Sequence, residues 1–223
     1  MSATNPRPRG NPTKKRAPAA RNAGGAAVAT RSPRRLPRGA RREQLIDVAA
    51  PLVAEQGISG FSLDELARRA DVTRNLLYHY FPRGRPDVVT AVVERAGAEL
   101  ASDWVIDESL PLSERLTANF ERMLRHALGP SDAWRIHRRA RAADQPEIDE
   151  IVSAYVERVI ESISLNHLGT RRPSPLVHVA LTGFIAFAEA ALDEARTTKA
   201  PQDKVMQLLS DTLVATIQAA EPT

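Results

Sequence analysis

The 223-residue sequence contains no cysteine, and aromatic residues make up only 4% of it. Without cysteine, the chain has no disulfide, no thiol nucleophile and no thiolate-bound zinc or iron-sulfur cluster. The longest uncharged stretch that could matter for a membrane, 173–188, contains two prolines and is too short to span a bilayer. The first residues lack the apolar run of a secretory signal. These absences predict a soluble, cytoplasmic protein with no membrane partner.

Charge is distributed unevenly along the chain, although the net charge is only +4. Residues 1–40 contain ten basic residues and no acidic residue. Residues 41–85 carry a net charge of +1, and residues 86–223 carry −7. A basic segment ahead of an acidic one is typical of a chain that contacts a polyanion near its N-terminus, most often nucleic acid or an anionic membrane.

Residues 1–39 are rich in proline and glycine and contain almost no large apolar side chains. Such a segment cannot bury enough surface to offset the entropy lost on ordering, so we predict a disordered basic arm. An arginine-rich, acid-free segment is also typical of an organelle transit peptide. Transit peptides are amphipathic, however, and Pro33 and Pro37 would interrupt such a helix.

Beyond the arm, apolar residues recur at helical spacing, and no segment shows the sustained alternation of a strand. The spacing of Leu45, Ala49 and Leu52 predicts a first helix that ends near Gly57, with a kink or a local break at Pro51. The sequence therefore predicts an all-α fold. After two short helices, longer helices are predicted at 86–101, 112–128, 131–143, 146–166, 175–195 and 202–219.

Two short helices joined by a tight turn follow the first helix. Ser62 and Glu65 form a capping-box sequence, in which each side chain satisfies a free backbone N–H at the start of the first short helix. Thr73 can cap the second, at residues 74–80. This arrangement indicates a helix-turn-helix motif, whose second helix enters the DNA major groove.

Polar side chains on the second short helix suit contacts with DNA. Thr73 and Asn75 can hydrogen-bond phosphates or bases, and Arg74 can neutralise a phosphate or contact a guanine. Tyr78 and His79 stand one turn further, within reach of a phosphate. The alternative is a solvated polar helix without a ligand. A helix this short is a poor independent folding unit, however. Its many polar side chains therefore need a reason to be held in place, which favours a DNA contact.

This region resembles the N-terminal domain of the TetR (tetracycline-repressor-like) family of transcriptional regulators. The resemblance spans residues 42–89 and includes the family's most diagnostic pattern, a Leu–Tyr pair (Leu77 and Tyr78) followed by Phe81. It implies a three-helix DNA-binding domain at residues 40–88 and a helical ligand-binding and dimerisation domain at residues 89–223. The segments that carry it are Leu45–Ala50, Glu55–Gly57, Phe61–Ala67, Ala70–Thr73, Leu77–Phe81 and Asp87–Val89.

The resemblance also implies a set of DNA-contacting residues. Ser62 and Thr73 would cap their helices and contact the phosphate backbone. Leu76 stands where the family usually has a small residue, which allows an apolar contact with a thymine methyl group. The loop 82–85 is one residue longer than usual, which places the family's phosphate-contacting lysine position on Arg85. The full set is Ser62, Thr73, Arg74, Asn75, Leu76, Tyr78, His79 and Arg85.

The last two helices carry apolar stripes with several small residues that would let another helix approach closely. These stripes can form the core of a monomer. The resemblance favours instead a two-fold dimer, in which the two helices of each copy form a four-helix contact. The dimerisation residues predicted on this basis are Val179, Gly183, Ala186, Ala190, Leu208, Leu209, Leu213 and Ile217.

The resemblance further implies a pocket for a small-molecule inducer inside the body of the protein. Core packing is the alternative role for each candidate lining residue. The candidates share a large apolar side chain on a predicted helix of the body and are Phe120, Met123, Leu124, Trp134, Tyr155, Phe184 and Phe187.

Taken together, the sequence predicts a homodimeric repressor that binds a double-stranded DNA operator and is released from it by a small molecule. Two alternatives stay open. One is a ligand-independent regulator, either activator or repressor; the other is a helical interaction protein whose basic arm binds nucleic acid or a membrane. No phosphate loop, nucleophile elbow or paired-carboxylate pattern indicates an enzyme. No histidine stands at i, i+4 from another ligand, so neither a metal nor a cofactor is predicted.

Overall fold

The computed structural model describes residues 37–102, 104 and 109–221, and these residues form helices without any strand. The all-α prediction is therefore confirmed for this part of the chain. Residues 1–36 of the predicted arm lie outside the described residues. The helices are α1 (Arg38–Gln56), α2 (Leu63–Arg69), α3 (Arg74–Tyr80), α4 (Arg85–Ser102), α5 (Leu112–Leu128), α6 (Asp132–Arg141), α7 (Pro146–Leu168), α8 (Pro175–Thr198) and α9 (Gln202–Ala220).

Helix α1 runs without interruption through Pro51, so the predicted local break does not occur. A proline inside a helix costs about 3 kcal/mol because it removes a backbone hydrogen bond. The apolar stripe of α1 offsets this cost, since Leu45, Leu52 and Val53 are almost completely buried and each such side chain contributes about 1.5–3 kcal/mol. The predicted end of the helix is confirmed, because Gly57 is its C-terminal capping residue.

The start of α2 confirms one half of the capping-box prediction, and the other half is wrong. The hydroxyl of Ser62 accepts a hydrogen bond from the backbone N–H of Asp64 at 3.1 Å. Glu65, however, does not turn back toward Ser62. Its carboxylate accepts hydrogen bonds from Arg68 and Arg69 at 2.7 Å each, because these guanidiniums lie one turn ahead on the same face. The hydrogen bonds from Arg68 and then Arg69 lower the pKa of Glu65 to about 2.

Helix α4 connects the N-terminal helices to the rest of the protein. It packs against α1, α6 and α7. The remaining helices form a bundle in which α5 contacts α7, α8 and α9, and α8 lies along α9. One continuous core extends from Leu45 on α1 to Leu213 on α9. A displacement in the bundle therefore has a packed route to the short N-terminal helices through α4 and α6.

Helix α8 is long and apolar enough to cross a membrane by length and composition, with a mean hydropathy of 1.6 over its most apolar 18 residues. It extends beyond the uncharged stretch 173–188, as far as Thr198. One side of α8 carries Val177, Leu181 and Leu192, which are fully buried in the bundle. Only 39% of the apolar window is buried, so α8 has a second, exposed apolar side. Helix α8 is therefore a core helix of the bundle with one apolar side left exposed to solvent.

Candidate DNA-binding surface and body cavity

Two buried side chains fix the orientation of α3. Leu77 is 0% exposed and Phe81, which follows the helix, is 1% exposed. They stand four residues apart and therefore point to the same side, into the core formed with α1 and α2. The guanidinium carbon of Arg42 on α1 lies 5.5 Å from the centre of the Phe81 ring and covers it. With this side anchored, the opposite side of α3 faces solvent.

The solvent-facing side of α3 carries most of the residues predicted to contact DNA. Thr73 caps the helix, since its hydroxyl accepts a hydrogen bond from the backbone N–H of Leu76 at 3.3 Å. Leu76 is half-buried, and Tyr80 packs partly against the core. The predicted residues that the structure leaves exposed, on α3 or at the starts of α2 and α3, are Ser62, Thr73, Arg74, Asn75, Tyr78 and His79.

The turn between α2 and α3 depends on Asp71, which has a positive φ of 51°. Aspartate tolerates this left-handed conformation better than most residues. The chain reverses within this turn, and the N–H of Val72 donates to the carbonyl of Ala67 at 3.0 Å. The turn thereby sets the angle at which α3 leaves α2. A tight connection was predicted here, but the left-handed residue was not.

Gly84 and Tyr78 are in close contact, and sequence reasoning missed the role of the glycine. Gly84 has a φ of 71°, and a Cβ added to it would lie 3.0 Å from the Tyr78 ring and 3.2 Å from the Leu63 side chain. Glycine is the residue that adopts this conformation without strain and leaves room for the ring. The loop after α3 thus supports the tyrosine from behind while its side chain stays exposed.

Arg74 is held in place by Asp64 on the neighbouring helix. Its Nη1 lies 3.0 Å from Asp64 Oδ1, and its guanidinium carbon lies 5.9 Å from the centre of the Tyr78 ring. A hydrogen bond to Tyr78 and the charge of Asp64 raise the pKa of Arg74 above its ordinary value. Both members of the ion pair are exposed, so the pair contributes little stability and can open for a phosphate. The sequence gives only a weak signal for the Arg74–Asp64 pair, because the two residues are ten positions apart and lie on different helices.

Arg85 opens α4 and is exposed, but its guanidinium donates a hydrogen bond to the backbone carbonyl of Ser59. The neighbouring Arg83 is also engaged. It donates to Asp87 at 2.6 Å and to Glu147 of α7 at 2.8 Å. Burial alone would raise the pKa of Asp87, but hydrogen bonds from Arg83 lower it below its usual value. The loop 82–85 is therefore tied to the protein itself.

The family model described as "Bacterial regulatory proteins, tetR family" matches residues 45–92, which include most of α1, the helix-turn-helix and the first part of α4. The chain belongs to the TetR family. It is 36% identical over 66 residues to the HTH-type transcriptional regulator SrpR of Pseudomonas putida, and the match spans 30% of each chain. The family is one of regulatory proteins rather than enzymes.

Solved structures extend the similarity of this TetR-family chain to its whole bundle. A tetR-family transcriptional regulator from Streptomyces coelicolor is 26% identical, covers 83% of this chain and 85% of its own, and superposes with a TM-score of 0.70. A TetR-like regulator from Rhodococcus sp. RHA1 is 19% identical, covers 85% of this chain and 100% of its own, and has a TM-score of 0.61. The second comparison shows the fold alone.

The body of this TetR-family protein encloses a small cavity of about 20 Å³. This volume is about that of a single water site. Four of the predicted pocket residues line the cavity. Phe120 and Leu124 are buried but do not line it, and the Phe120 ring packs against that of Phe184. Phe187 is 40% exposed and does not line it. The lining residues predicted from sequence are Met123, Trp134, Tyr155 and Phe184.

A buried ionic network borders this cavity, and sequence reasoning did not find it. Glu189 of α8 lines the cavity and is almost completely buried. Its carboxylate lies 2.9 Å from His137 Nε2, accepts a hydrogen bond from Arg138 at 2.6 Å and forms an ion pair with Arg141 at 3.1 Å. Arg138 also bonds Asp193 at 2.7 Å. The sequence does contain a signal for this network, because the acidic residues Glu189 and Asp193 stand four residues apart on α8 and α6 is rich in arginine.

Helix α6 also contacts the C-terminal end of α1. Arg139 Nε donates to the backbone carbonyl of Ala54 at 2.9 Å, and Arg135 donates to the same carbonyl at 3.2 Å. Arg139 also donates to the carbonyl of Glu55 at 3.1 Å. These carbonyls belong to the last turn of α1. Carbonyl groups there have no hydrogen-bonding partner within the helix, and the negative end of the helix dipole attracts positive charge. Helix α6 thus joins the end of α1 to the acidic residues of α8.

The predicted dimerisation residues divide into two groups in the structure. Leu209 and Leu213 are buried against the rest of the bundle, because the stripe of α9 that contains them faces α8. Ile217 is half-buried. The residues that stay on the surface are Val179, Gly183, Ala186, Ala190 and Leu208.

No group of three His, Asp or Glu side chains converges on a possible metal position among the residues that the structure describes. The histidine with an acidic partner in the interior, His137, is engaged with Glu189.

Proposed function

We propose that this TetR-family protein is a homodimeric, cytoplasmic transcriptional repressor whose affinity for its operator is lowered by a small molecule. The observation that carries this proposal is the surface of α3. Its polar residues face solvent on a helix that Leu77 and Phe81 hold rigidly from behind.

In the proposed complex, α3 lies in the major groove and its N-terminal residues read bases. Asn75 would hydrogen-bond a base edge, and Leu76 would contact a thymine methyl group. Thr73, Tyr78 and Arg74 would hold phosphates, which fixes the position of the helix without reading sequence. For Arg74 this requires exchanging Asp64 for a phosphate, at little cost because the ion pair is exposed.

The proposed dimer forms through the exposed apolar side of α8 and the adjoining surface of α9. Val179 is 67% exposed, and Leu176, Phe187 and Leu208 are also exposed. Contiguous exposed apolar side chains mark an interaction surface. Small residues beside them, such as Gly183, would let two copies of α8 approach closely. Two-fold pairing would give each dimer two copies of α3, which can read half-sites about 34–36 Å apart.

We assign a different proposed role to each of three segments of the chain. Residues 1–39 would be a basic arm that adds sequence-independent attraction to phosphates. Residues 40–88 would read the operator, and residues 89–223 would form the dimer and receive the ligand. The chain does not divide between the last two segments by packing alone, since α4 and α6 both contact α1.

The proposed response to ligand runs through α6. A molecule that enlarges the cavity would displace Trp134 or Glu189 and thereby shift α6, whose Arg135 and Arg139 hold the end of α1. A shift of α1 would change the spacing of the two copies of α3. The ligand can lower operator affinity only by as much as it prefers the shifted state.

The small volume of the cavity favours a second candidate, a regulator that works without a ligand. In that case the tryptophan-lined space is ordinary core. The two candidates share the DNA-binding surface and differ only in whether a small molecule changes operator affinity.

The DNA-binding proposal is tested by selecting duplexes from a random pool with the purified full-length protein. We expect a palindromic site, and Asn75→Ala should change the preferred bases at one position of each half-site by about 1–3 kcal/mol of discrimination. Tyr78→Phe is the matched control, because a phosphate contact carries no sequence information. It should weaken binding to all sequences alike.

Binding to all duplexes with equal affinity would contradict the proposal. That result would favour instead a helical interaction protein whose basic arm contacts nucleic acid without reading it. A change in base preference on Tyr78→Phe would remove the phosphate role from that residue.

A further inference from the structure

One stripe of α7 changes from apolar to polar along its length. Successive helical residues turn by about 100°, so Tyr155, Val159, Ser162 and Asn166 stand nearly in line along α7. Tyr155 and Val159 line the cavity. Ser162 and Asn166 continue the same line toward the end of the helix. From Val159 to Asn166 the rise is about 10 Å.

A matching change occurs on α5, which packs against α7 and α8. Met123 lines the cavity, and Asn119 stands one turn before it on the same side. Asn119, Ser162 and Asn166 are 3%, 5% and 6% exposed, respectively. Three buried polar side chains thus stand one or two helical turns from residues that line the cavity, on two packed helices.

These polar side chains have hydrogen-bonding atoms without partners. The amide nitrogen and the amide oxygen of Asn166, the amide nitrogen of Asn119 and the hydroxyl of Ser162 are all buried and make no hydrogen bond with any residue that the structure describes. Buried polar atoms are normally hydrogen-bonded, and each exception calls for an explanation such as a water or a ligand. The unused groups include amide N–H donors and an amide oxygen acceptor.

The charged groups near the cavity are, in contrast, already paired. Glu189 is bonded by His137, Arg138 and Arg141. It therefore presents no free charge to an incoming molecule. A charged group entering this space would lose its water without gaining an opposite charge, which is costly.

We propose that this region binds an elongated, uncharged and mainly apolar molecule that carries an amide-like head group. Its apolar part would enter among Trp104, Met123 and Phe184 by widening the cavity, which has a volume of only about 20 Å³ in this structure. Its head group would hydrogen-bond Asn119, Ser162 and Asn166, which lie beyond the cavity. This inference rests on the proposed ligand response and specifies the chemical class of the ligand.

The test uses four eight-carbon probes that differ in their polar group: octanamide, octanoate, octylammonium and octane. Both tryptophans of the chain, Trp104 and Trp134, line the cavity, so tryptophan fluorescence of the full-length protein reports binding directly. We expect saturable binding of octanamide. Each charged probe should bind at least about tenfold more weakly, because its charge would be desolvated. Octane should be weaker than octanamide because it leaves the buried amides unpartnered.

Ser162 and Ser164 provide a matched pair of variants. Both are buried serines on α7 with unpartnered hydroxyls, but they are two residues apart and so point to opposite sides of the helix. Ser162→Ala should weaken octanamide binding severalfold, and Ser164→Ala should leave it unchanged. Asn166→Leu should also weaken binding, while its thermal midpoint stays equal or rises, because leucine removes two buried unpartnered atoms.

Absence of saturable octanamide binding overturns the inference, as does equal binding of a charged probe or an equal effect of the two serine variants. These outcomes leave the DNA-binding proposal intact if the protein still selects an operator. Octanamide binding without release of the operator would support the ligand class and reject the response to ligand.

Discussion

Replacing Gly84 by alanine should weaken operator binding through Tyr78. The new Cβ would lie 3.0 Å from the Tyr78 ring, whereas carbon atoms in contact normally lie about 3.5–4.0 Å apart. The ring must therefore move by several tenths of an ångström. If this motion weakens a phosphate hydrogen bond in each half-site by about 0.5–1.5 of the about 1.5–3 kcal/mol that a bond to a charged group contributes, a dimer loses about 1–3 kcal/mol. At about 1.4 kcal/mol per tenfold change, operator affinity should fall between about 5-fold and 150-fold.

Gly169→Ala is the control for backbone strain. Gly169 has a φ of 67°, close to the 71° of Gly84, but an added Cβ would meet no atom within 4 Å. Both variants should therefore lose about 1–2 kcal/mol of unfolding free energy from the left-handed conformation alone. Only Gly84→Ala should lose operator affinity. Urea unfolding measures the first quantity, and fluorescence anisotropy with the selected operator measures the second.

Equal binding of the operator by Gly84→Ala and Gly169→Ala would refute this role of Gly84. The role is also refuted if Gly84→Ala binds like the unaltered protein while Tyr78→Phe is impaired, since the tyrosine would then keep its contact without support from the glycine. Agreement between Gly84→Ala and Tyr78→Phe would show that both act on the same contact.

Two further predictions concern the dimer and the interior. Val179→Asp should raise the dissociation constant of the proposed dimer by at least about 100-fold. The exposed Val179 of each copy would be buried in the interface, and losing both valines removes about 1.5 kcal/mol each. Sedimentation measures the dissociation constant, and Ser153→Asp at an exposed position of α7 is the control. Burial lowers the pKa of His167 below its ordinary value of 6.5. Its neutral form is thus favoured in the folded state, so stability should fall as pH drops through about 6.5. His167→Gln should reduce the loss of thermal midpoint between pH 7.5 and 5.5; an unchanged loss would refute it.

Local sequence signals were sufficient to predict the helices and the cap of α3. The alternation of apolar residues and the positions of Gly57 and Thr73 act within one or two turns, so they can be read without knowing the fold. The uninterrupted course of α1 through Pro51 could not be predicted in this way. It depends on how deeply Leu52 and Val53 are buried by α4 and the rest of the core, which is a tertiary effect.

Contacts between distant segments were the part of the site that the sequence did not reveal. Arg74 could be predicted as a DNA contact from its place at the start of α3, but its pairing with Asp64 requires the angle of the turn at Asp71. The burial of Leu209 toward α8, rather than toward another copy, depends on which side of α9 faces the bundle. Periodicity defines a stripe and does not say what covers it.

The bonds from α6 to the end of α1 have a consequence for how such regulators diversify. Arg135 and Arg139 hold backbone carbonyls of Ala54 and Glu55, and every residue type supplies the same carbonyl. The attachment is therefore indifferent to the side chains of the segment it holds. Residues on α3 can change to recognise a different operator while the hydrogen bonds between α6 and the end of α1 are kept. The same helical bundle is therefore compatible with different DNA-contacting residues, provided that α1 ends at the same place.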